Sequence, residues 1–249
     1  MAVEFVKEWI VGRNPVYEVL RAGRRNLFRL WVARNADEKG RLSEAIRLAR
    51  AQKVMVEYVL RPQLDVLDES HQGVALEASA YPYSTLPDIQ ILAIERKEPL
   101  FVLILDVIQN PQNLGTLLRT AEVVGVHGVL IPLARAAGVT PAVVNASAGA
   151  SEHLLVAAVN LSQAIQTLKD AGAWVIGLEG SPEAAPIEQA RLDGPLALVV
   201  GSEGEGMRAL TRRSCDLLVR LAMSGKVESL NAAVAGSIAL YLAKQARSK

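Results

Sequence analysis

Three short segments carry residues whose types and spacing could do chemistry. The first is Asp106–Arg119, where an apolar run ends, a proline-containing turn follows, and Asn113, Gly115 and Arg119 stand in order. Asn113 sits where a helix N-cap is expected, and Gly115 allows close approach of backbone or ligand. Arg119 is the only cation between Lys97 and Arg135. A lone arginine near such a helix start suits a two-pronged grip on a phosphate, though an N-cap plus a surface arginine explains the same residues. The second segment, Val199–Met207, sets Gly201, Gly204 and Gly206 around Glu203 and Glu205 after an apolar strand. So little side chain would let backbone amides and carbonyls read a nucleoside directly, while Glu203 could equally cap Met207–Leu210. The third segment, Arg220–Asn231, has a turn at Gly225, then Ser229 as a good N-cap for the last helix, with Asn231 in its first turn. Alone it is a helix start.

Several other chemistries lack their residues. Neither the strand–GxGxxG–helix fingerprint nor GxxxxGK[ST] occurs, which disfavours a nicotinamide or nucleoside-triphosphate enzyme. His71, His127 and His153 are scattered without metal-ligand spacing, so no metal site is expected. Cys215, the single cysteine, reads as a packed residue and not a nucleophile; it excludes an intrachain disulfide and fits a reducing cytoplasm.

The elements that must position these loops follow from periodicity. Leu100–Leu105, Gly128–Ile131, Leu154–Ala158, Ala173–Leu178, Leu196–Val200 and Leu217–Leu221 are strand-length apolar runs. Between them, Asn113–Val124, Pro141–Ala150 and Leu161–Ala171 read as helices, and a last helix covers about Leu230–Gln245. Continuous apolar strands alternating with helices indicate a parallel sheet covered on both faces, whose ligands bind beyond the carboxyl ends of its strands. All three loops fall at such ends. Ahead of them a smaller α/β unit runs to about residue 80: helix Val16–Ala22, strand Leu27–Ala33, helix Leu42–Ala51, strands Val54–Leu60 and Val74–Ala78. Pro82 and Pro87 break the pattern, and Ile89–Arg96 is a connecting helix. The expected division is 1–80, a linker at 81–98, and 99–249.

With 51% hydrophobic and 21% charged residues the chain is ordinary globular material. Its apolar runs are far short of a membrane span, and the amino terminus does not look like a signal peptide. Net charge is only +1, but it is uneven. Up to Arg61 there are 13 Lys and Arg against 7 Asp and Glu, a balance of +6; from Pro62 onward there are 14 against 19, a balance of −5. A basic first part suggests a polyanionic partner there.

Taken together the three loops resemble the three motifs of the SpoU-type trefoil-knot RNA methyltransferases. Asn113-x-Gly115-x-x-x-Arg119 resembles the first, Gly201-x-Glu203-x-x-Gly206 the second, and Met223-x-Gly225 with Ser229-Leu230-Asn231 the third. Val11–Glu18 and His71-Gln-Gly73-Val-Ala resemble the small ribosomal-protein-like RNA-binding domain of the bacterial 23S rRNA guanosine 2′-O-methyltransferases. The chain departs at Ala222, where the family often has proline, and at Ala232-Ala233, where it often has serine. The resemblance implies a knotted parallel-sheet catalytic domain, a homodimer with the active site near the subunit interface, and S-adenosylmethionine as cofactor. Matching cofactor positions are Gly201, Leu221, Met223 and Leu230. Asn113, Arg119, Glu203, Ser229 and Asn231 are the catalytic candidates, and Arg13, Arg24 and Arg25 the candidates for RNA contact.

The expected reaction is methyl transfer to a ribose 2′-hydroxyl, most naturally of a 23S rRNA guanosine. Arg119 would hold an RNA phosphate beside the ribose, Asn113, Ser229 and Asn231 would orient substrate and cofactor, and Glu203 would position Arg119 or a hydroxyl. A guanidinium gives up its proton only far above neutral pH, which argues against Arg119 as the base and for a phosphate or water route. The alternatives are the same chemistry on tRNA or another rRNA site, a non-catalytic ribosome-assembly factor that binds RNA, and a small-molecule enzyme using another nucleotide.

Overall fold

Period-two and period-3.6 apolar patterns become strands and helices in this order: β1 (Lys7–Val11), α1 (Arg13–Ala22), β2 (Leu27–Ala33), α2 (Arg41–Ala51), β3 (Met55–Val59), α3 (Arg61–Asp65), β4 (Val74–Ser79), α4 (Leu86–Arg96), β5 (Phe101–Asp106), α5 (Pro111–Val123), β6 (Gly128–Pro132) and α6 (Pro141–Ala146). The chain continues through β7 (Val156–Val159), α7 (Leu161–Asp170), β8 (Trp174–Leu178), β9 (Ala185–Pro186), β10 (Leu196–Gly201), α8 (Ala209–Ser214), β11 (Leu217–Arg220) and α9 (Ala232–Arg247). The structure, a computed structural model, describes residues 6–134, 136–226 and 229–248. No helix among them is long and apolar enough to cross a membrane.

By their contacts the elements form two units. The first comprises the chain up to Pro82 together with Val139–His153. Its sheet has the order β1-β4-β2-β3, antiparallel except for β2 beside β3. Alternation sends Ile10, Leu30, Val32, Leu76 and Ala78 to the face covered by α1 and α2. Val11, Ala33, Ala75 and Val59 go to the other, where Leu64 of α3 and the tilted ring pair Trp9 and Trp31 close a second cluster. Sequence periodicity runs Pro141–Ala150 within the second alternation, yet Val139–His153 joins the first unit. Polar side chains hold it there: Tyr81 Oη donates to the Ser151 carbonyl at 3.1 Å, and His153 Nε2 meets Glu18 at 2.7 Å.

The second unit, Tyr83–Gly138 with Leu154–Lys249, is built on a wholly parallel sheet of order β7-β6-β5-β10-β8-β11-β9. Val102, Ile104, Leu130, Ala157, Val175 and Val199 pack against Leu161, Ile165 and Leu168 of α7 on one face. The connecting helix predicted from sequence is a packed element of this unit, because Leu86 and Ile89 enter the same cluster. On the opposite face α9 lies close to α5. A Cβ at Gly236 would come within 2.6 Å of Leu117 and 3.1 Å of Val200, so the close approach requires the glycine. From β5 the chain steps outward through β6 to β7, then returns to the other side of β5, where β10 pairs directly with it. The switch point between β5 and β10 is where a parallel sheet opens a crevice at its carboxyl ends.

Candidate active site

The loops that leave β5 and β10 line that crevice. A cavity of about 640 Å³ is bounded by Val107–Pro111 and by Ser202, Glu203, Gly204 and Glu205. Just before the first of these loops the Asp106 carboxylate, fully buried, accepts from the Arg208 backbone N–H at 2.8 Å and from Arg208 Nε at 2.7 Å. The pair ties the end of β5 to the segment following β10. The next residue, Val107, holds φ of +63°, a left-handed conformation unfavourable for a β-branched side chain. Strain of this kind persists only where the surroundings over-determine it.

Helix α5 starts earlier than its sequence suggests. Asn110 is the N-cap, its Oδ1 accepting from the Gln112 N–H at 2.8 Å, and Pro111 opens the first turn. Asn113 is therefore inside that turn, with its side chain available for other work. Leu114, Gly115, Leu117 and Leu118 are buried, whereas Arg119 is exposed and has no hydrogen bond or ion pair among the described residues. Glu203 does not touch it, contrary to one expected role.

The loop after β10 is a tight reversal. Ser202 N–H donates to the Gly206 carbonyl at 3.0 Å, and Gly206 N–H returns to the Ser202 carbonyl at 3.1 Å. A Cβ on Gly201 would lie 2.3 Å from the Gly206 and Met207 backbone, so this glycine makes room first for its own loop. Gly206, with φ of +68°, closes the turn.

The last helix is capped by Asn231 and not by Ser229. Asn231 Oδ1 accepts from the N–H groups of Ala233 and Val234 at 2.9 and 3.2 Å, while Nδ2 donates to Asn113 Oδ1 at 3.3 Å and Glu203 Oε1 at 3.2 Å. One side chain thus joins all three loops. Ser229 is exposed and makes no hydrogen bond among the described residues. Asn231→Ser separates the two roles, because serine caps about as well as asparagine but cannot reach the other loops. Unfolding stability should stay within about 0.5 kcal/mol of wild type, while activity falls on the order of 10- to 100-fold as Glu203 and Asn113 lose their tether. A parallel loss of stability would show that the cap alone matters.

Other candidates fall differently. Leu221 is half-buried and Met223 and Leu230 are exposed, all on the irregular stretch between β11 and α9. The Cys215 thiol is pushed up to about 12 by burial, with Asp216 adding to it, which suits a packed residue and not a nucleophile. Among the described residues no group of histidine, cysteine and carboxylates could hold a metal ion. Of the arginines expected to contact RNA, Arg25 is buried and bound to Glu152, Glu8 and the Ser79 carbonyl. Arg24 donates to Tyr81 Oη and to the Pro82 and Glu152 carbonyls. Their guanidinium groups hold the first unit together. Arg13 stays at the surface against Gln72. Sequence reasoning gave no role to Asp106 and Arg208; the signal was an acid ending an apolar run, since a buried carboxylate needs a partner.

Comparison with known proteins gives the family. Residues 100–241 match the model of the SpoU rRNA Methylase family, and residues 9–84 match that of RNA 2′-O ribose methyltransferase substrate binding. The chain is 44% identical over 238 residues to YacO of Bacillus subtilis (strain 168), assigned to the TrmH family of tRNA/rRNA methyltransferases, covering 94% of each chain. It is 39% identical over 234 residues to a protein of Staphylococcus aureus (strain COL) assigned likewise, covering 93% of each. Among solved structures, the SpoU methyltransferase AviRb from Streptomyces viridochromogenes with AdoMet superposes with a TM-score of 0.81 at 22% identity, over 97% of this chain and 91% of that one. An RNA 2′-O ribose methyltransferase superposes with a TM-score of 0.77 at 25% identity, over 98% and 90%.

Proposed function

Because the chain belongs to the SpoU rRNA methylase family, we propose that it transfers a methyl group from S-adenosylmethionine to the ribose 2′-hydroxyl of a guanosine in 23S rRNA. The observation that carries the chemistry is the bridge from Asn231 to Asn113 and Glu203 beside the β5–β10 crevice, with Arg119, which has no partner among the described residues, on the same helix as Asn113.

The residues present fit the cofactor. The backbone groups of Ala222–Gly225 make no hydrogen bond among the described residues, and Met223 and Leu230 expose 42% and 41% of their surface along the same loop. Amides and carbonyls of this kind suit an adenine edge, and the apolar side chains suit its faces. When bound, S-adenosylmethionine supplies an electrophilic methyl group on a sulfonium. The protein then has to align the hydroxyl and let it lose its proton. Arg119 grips a phosphate next to the reacting ribose and so fixes the hydroxyl's position. Glu203, held by Asn231, accepts from a ribose hydroxyl, and Asn113 keeps the bridge in register. A guanidinium is a donor with no acceptor lone pair, so the proton leaves through a phosphate oxygen or water.

Guanosine is favoured by Glu205, which lines the cavity with no partner among the described residues. One carboxylate can take the two adjacent donors of a guanine edge, which no other standard base presents side by side. A second copy of the chain is proposed against α9, where Val234, Ile238 and Tyr241 recur on one helical face at 46%, 40% and 58% exposure. Sedimentation at the mass of one chain would remove that part of the reading.

The test is incubation with radiolabelled S-adenosylmethionine and unmodified 23S rRNA, 16S rRNA and tRNA transcripts, followed by mapping of 2′-O-methyl sites. Label in a 23S guanosine is expected. Label in tRNA alone keeps the chemistry and replaces the substrate; no label and no cofactor binding would favour an RNA-binding assembly factor.

A further inference from the structure

We infer that the first unit grips RNA phosphates at a pocket of its own, lined by Arg13, Arg34 and Arg61. The inference rests on RNA being the substrate, and it follows from asking which of the unit's many cations are already neutralised. Arg21 pairs with Glu18, Arg25 with Glu152 and Glu8, Arg29 with Glu77, Lys39 with Asp37, and Arg41 with Glu44. Arg24 donates inward, as described above. Three of the arginines outside any ion pair converge on one cavity of about 570 Å³, which Asn35, Gln72 and Gly73 also line. The single carboxylate on its wall, Asp37, is the one held by Lys39 at 3.5 Å.

The three guanidinium groups are positioned but not satisfied. Arg61 makes no hydrogen bond or ion pair among the described residues. Arg34 donates only through Nε, to the Tyr58 carbonyl at 3.4 Å. Arg13 is clasped twice by Gln72: its backbone N–H by Oε1 at 3.0 Å, and its Nε by the carbonyl at 3.1 Å. Gln72 has φ of +52°, so a residue in an unfavourable backbone conformation presents both acceptors. The neighbouring Gly73 carbonyl takes the Ala33 N–H at 2.9 Å, which fixes the loop carrying Arg34 to the loop carrying Gln72, and Arg34 N–H donates to the Val59 carbonyl at 3.0 Å, which fixes it to the segment carrying Arg61. Among the described residues the terminal nitrogens of all three arginines are left without acceptors. Phosphate oxygens, which accept from two guanidinium nitrogens at once, complete them, and such contacts set register on an RNA without reading its sequence. The cavity is large enough for a nucleotide as well as its phosphate.

The experiment compares wild-type protein with the double variant Arg34→Ala/Arg61→Ala and with Arg47→Ala/Arg50→Ala, which removes the same charge from exposed positions of α2 outside the pocket. Affinity for unmodified 23S rRNA and tRNA transcripts is measured over a range of salt. The pocket variant should bind about tenfold or more weakly at near-physiological salt, and its plot of log affinity against log salt should be shallower by about 1.5 to 2. The α2 variant should change much less, and urea unfolding and S-adenosylmethionine binding should be unchanged in both. Equal losses in the two variants, or an unchanged slope in the pocket variant, overturn the site. If wild-type protein binds RNA with the expected slope yet methylates none, the methyltransferase reading fails and the pocket stands.

Discussion

Arg119→Ala should lower the rate of methyl transfer about 1,000-fold while leaving the protein folded and able to bind S-adenosylmethionine. The two halves of that expectation have separate causes. Arg119 is exposed and has no hydrogen bond or ion pair among the described residues, and its neighbours Leu117 and Leu118 carry the packing of α5. Removing its side chain therefore changes stability by less than about 0.5 kcal/mol. The proposed substrate, by contrast, is a flexible polyanion whose reacting hydroxyl must be brought into line with the methyl group. Without a fixed phosphate the hydroxyl samples many positions, and losses of about 100- to 10,000-fold are usual for removing such a positioning or proton-handling group. Arg119→Lys keeps the charge and loses the fork, so it should fall between, about 10- to 100-fold below wild type. The readout is single-turnover transfer at saturating RNA, with cofactor affinity by calorimetry. Near-normal turnover in the lysine variant would remove the two-pronged phosphate grip; near-normal turnover in the alanine variant would remove Arg119 from the site.

What the sequence made legible follows from which forces act locally. Apolar runs locate the strands because burial on both faces of a parallel sheet leaves a continuous signal: Leu196–Val200 is found as β10 with one residue more, and Leu27–Ala33 is found intact. The order of strands in the sheet is not local, and nothing in the periodicity says that β10 inserts beside β5. The site residues Asn113, Glu203 and Asn231 were legible by type, and the structure joins them, but their mutual roles were not. Two good caps compete at each helix start, and the folded loop decides that Asn110 and Asn231 win over Asn113 and Ser229. Charge misled for a related reason. A count of arginines cannot distinguish Arg25, which pairs with both Glu8 and Glu152, from Arg61, which has no ion pair among the described residues. The acid that matters most to Arg25 lies 127 residues away in sequence.

Loss of that acid, or of Arg25 itself, should be among the most damaging changes to stability in the first unit. The guanidinium and the Glu152 carboxylate meet in two parallel hydrogen bonds of 2.9 and 2.8 Å, with side-chain exposures of 0% and 1%. The remaining nitrogen donates to the Ser79 carbonyl at 2.9 Å and to Glu8 at 3.0 Å. Burial opposes the charge on Arg25, but Glu152 and Glu8 more than offset it and hold its pKa above the ordinary value. Arg25→Ala therefore leaves a buried carboxylate without its counter-ion, and Glu152→Ala leaves a buried guanidinium; each should cost about 3 to 5 kcal/mol. Glu152→Gln keeps the shape and some of the hydrogen bonding, and should cost less, about 1 to 3 kcal/mol. Replacing both partners together, as Arg25→Met/Glu152→Leu, removes both charges and should cost far less than the sum of the single changes. Urea unfolding followed by tryptophan fluorescence measures this in the right place. Trp9 and Trp31 both lie in the first unit, and a Trp174→Phe background leaves only those two reporters. Arg25→Ala should also leave the salt slope of RNA binding unchanged wherever the protein is folded, because its charge faces Glu152 and not solvent. A cost below about 1 kcal/mol together with a shallower salt slope would return Arg25 to the RNA-binding surface.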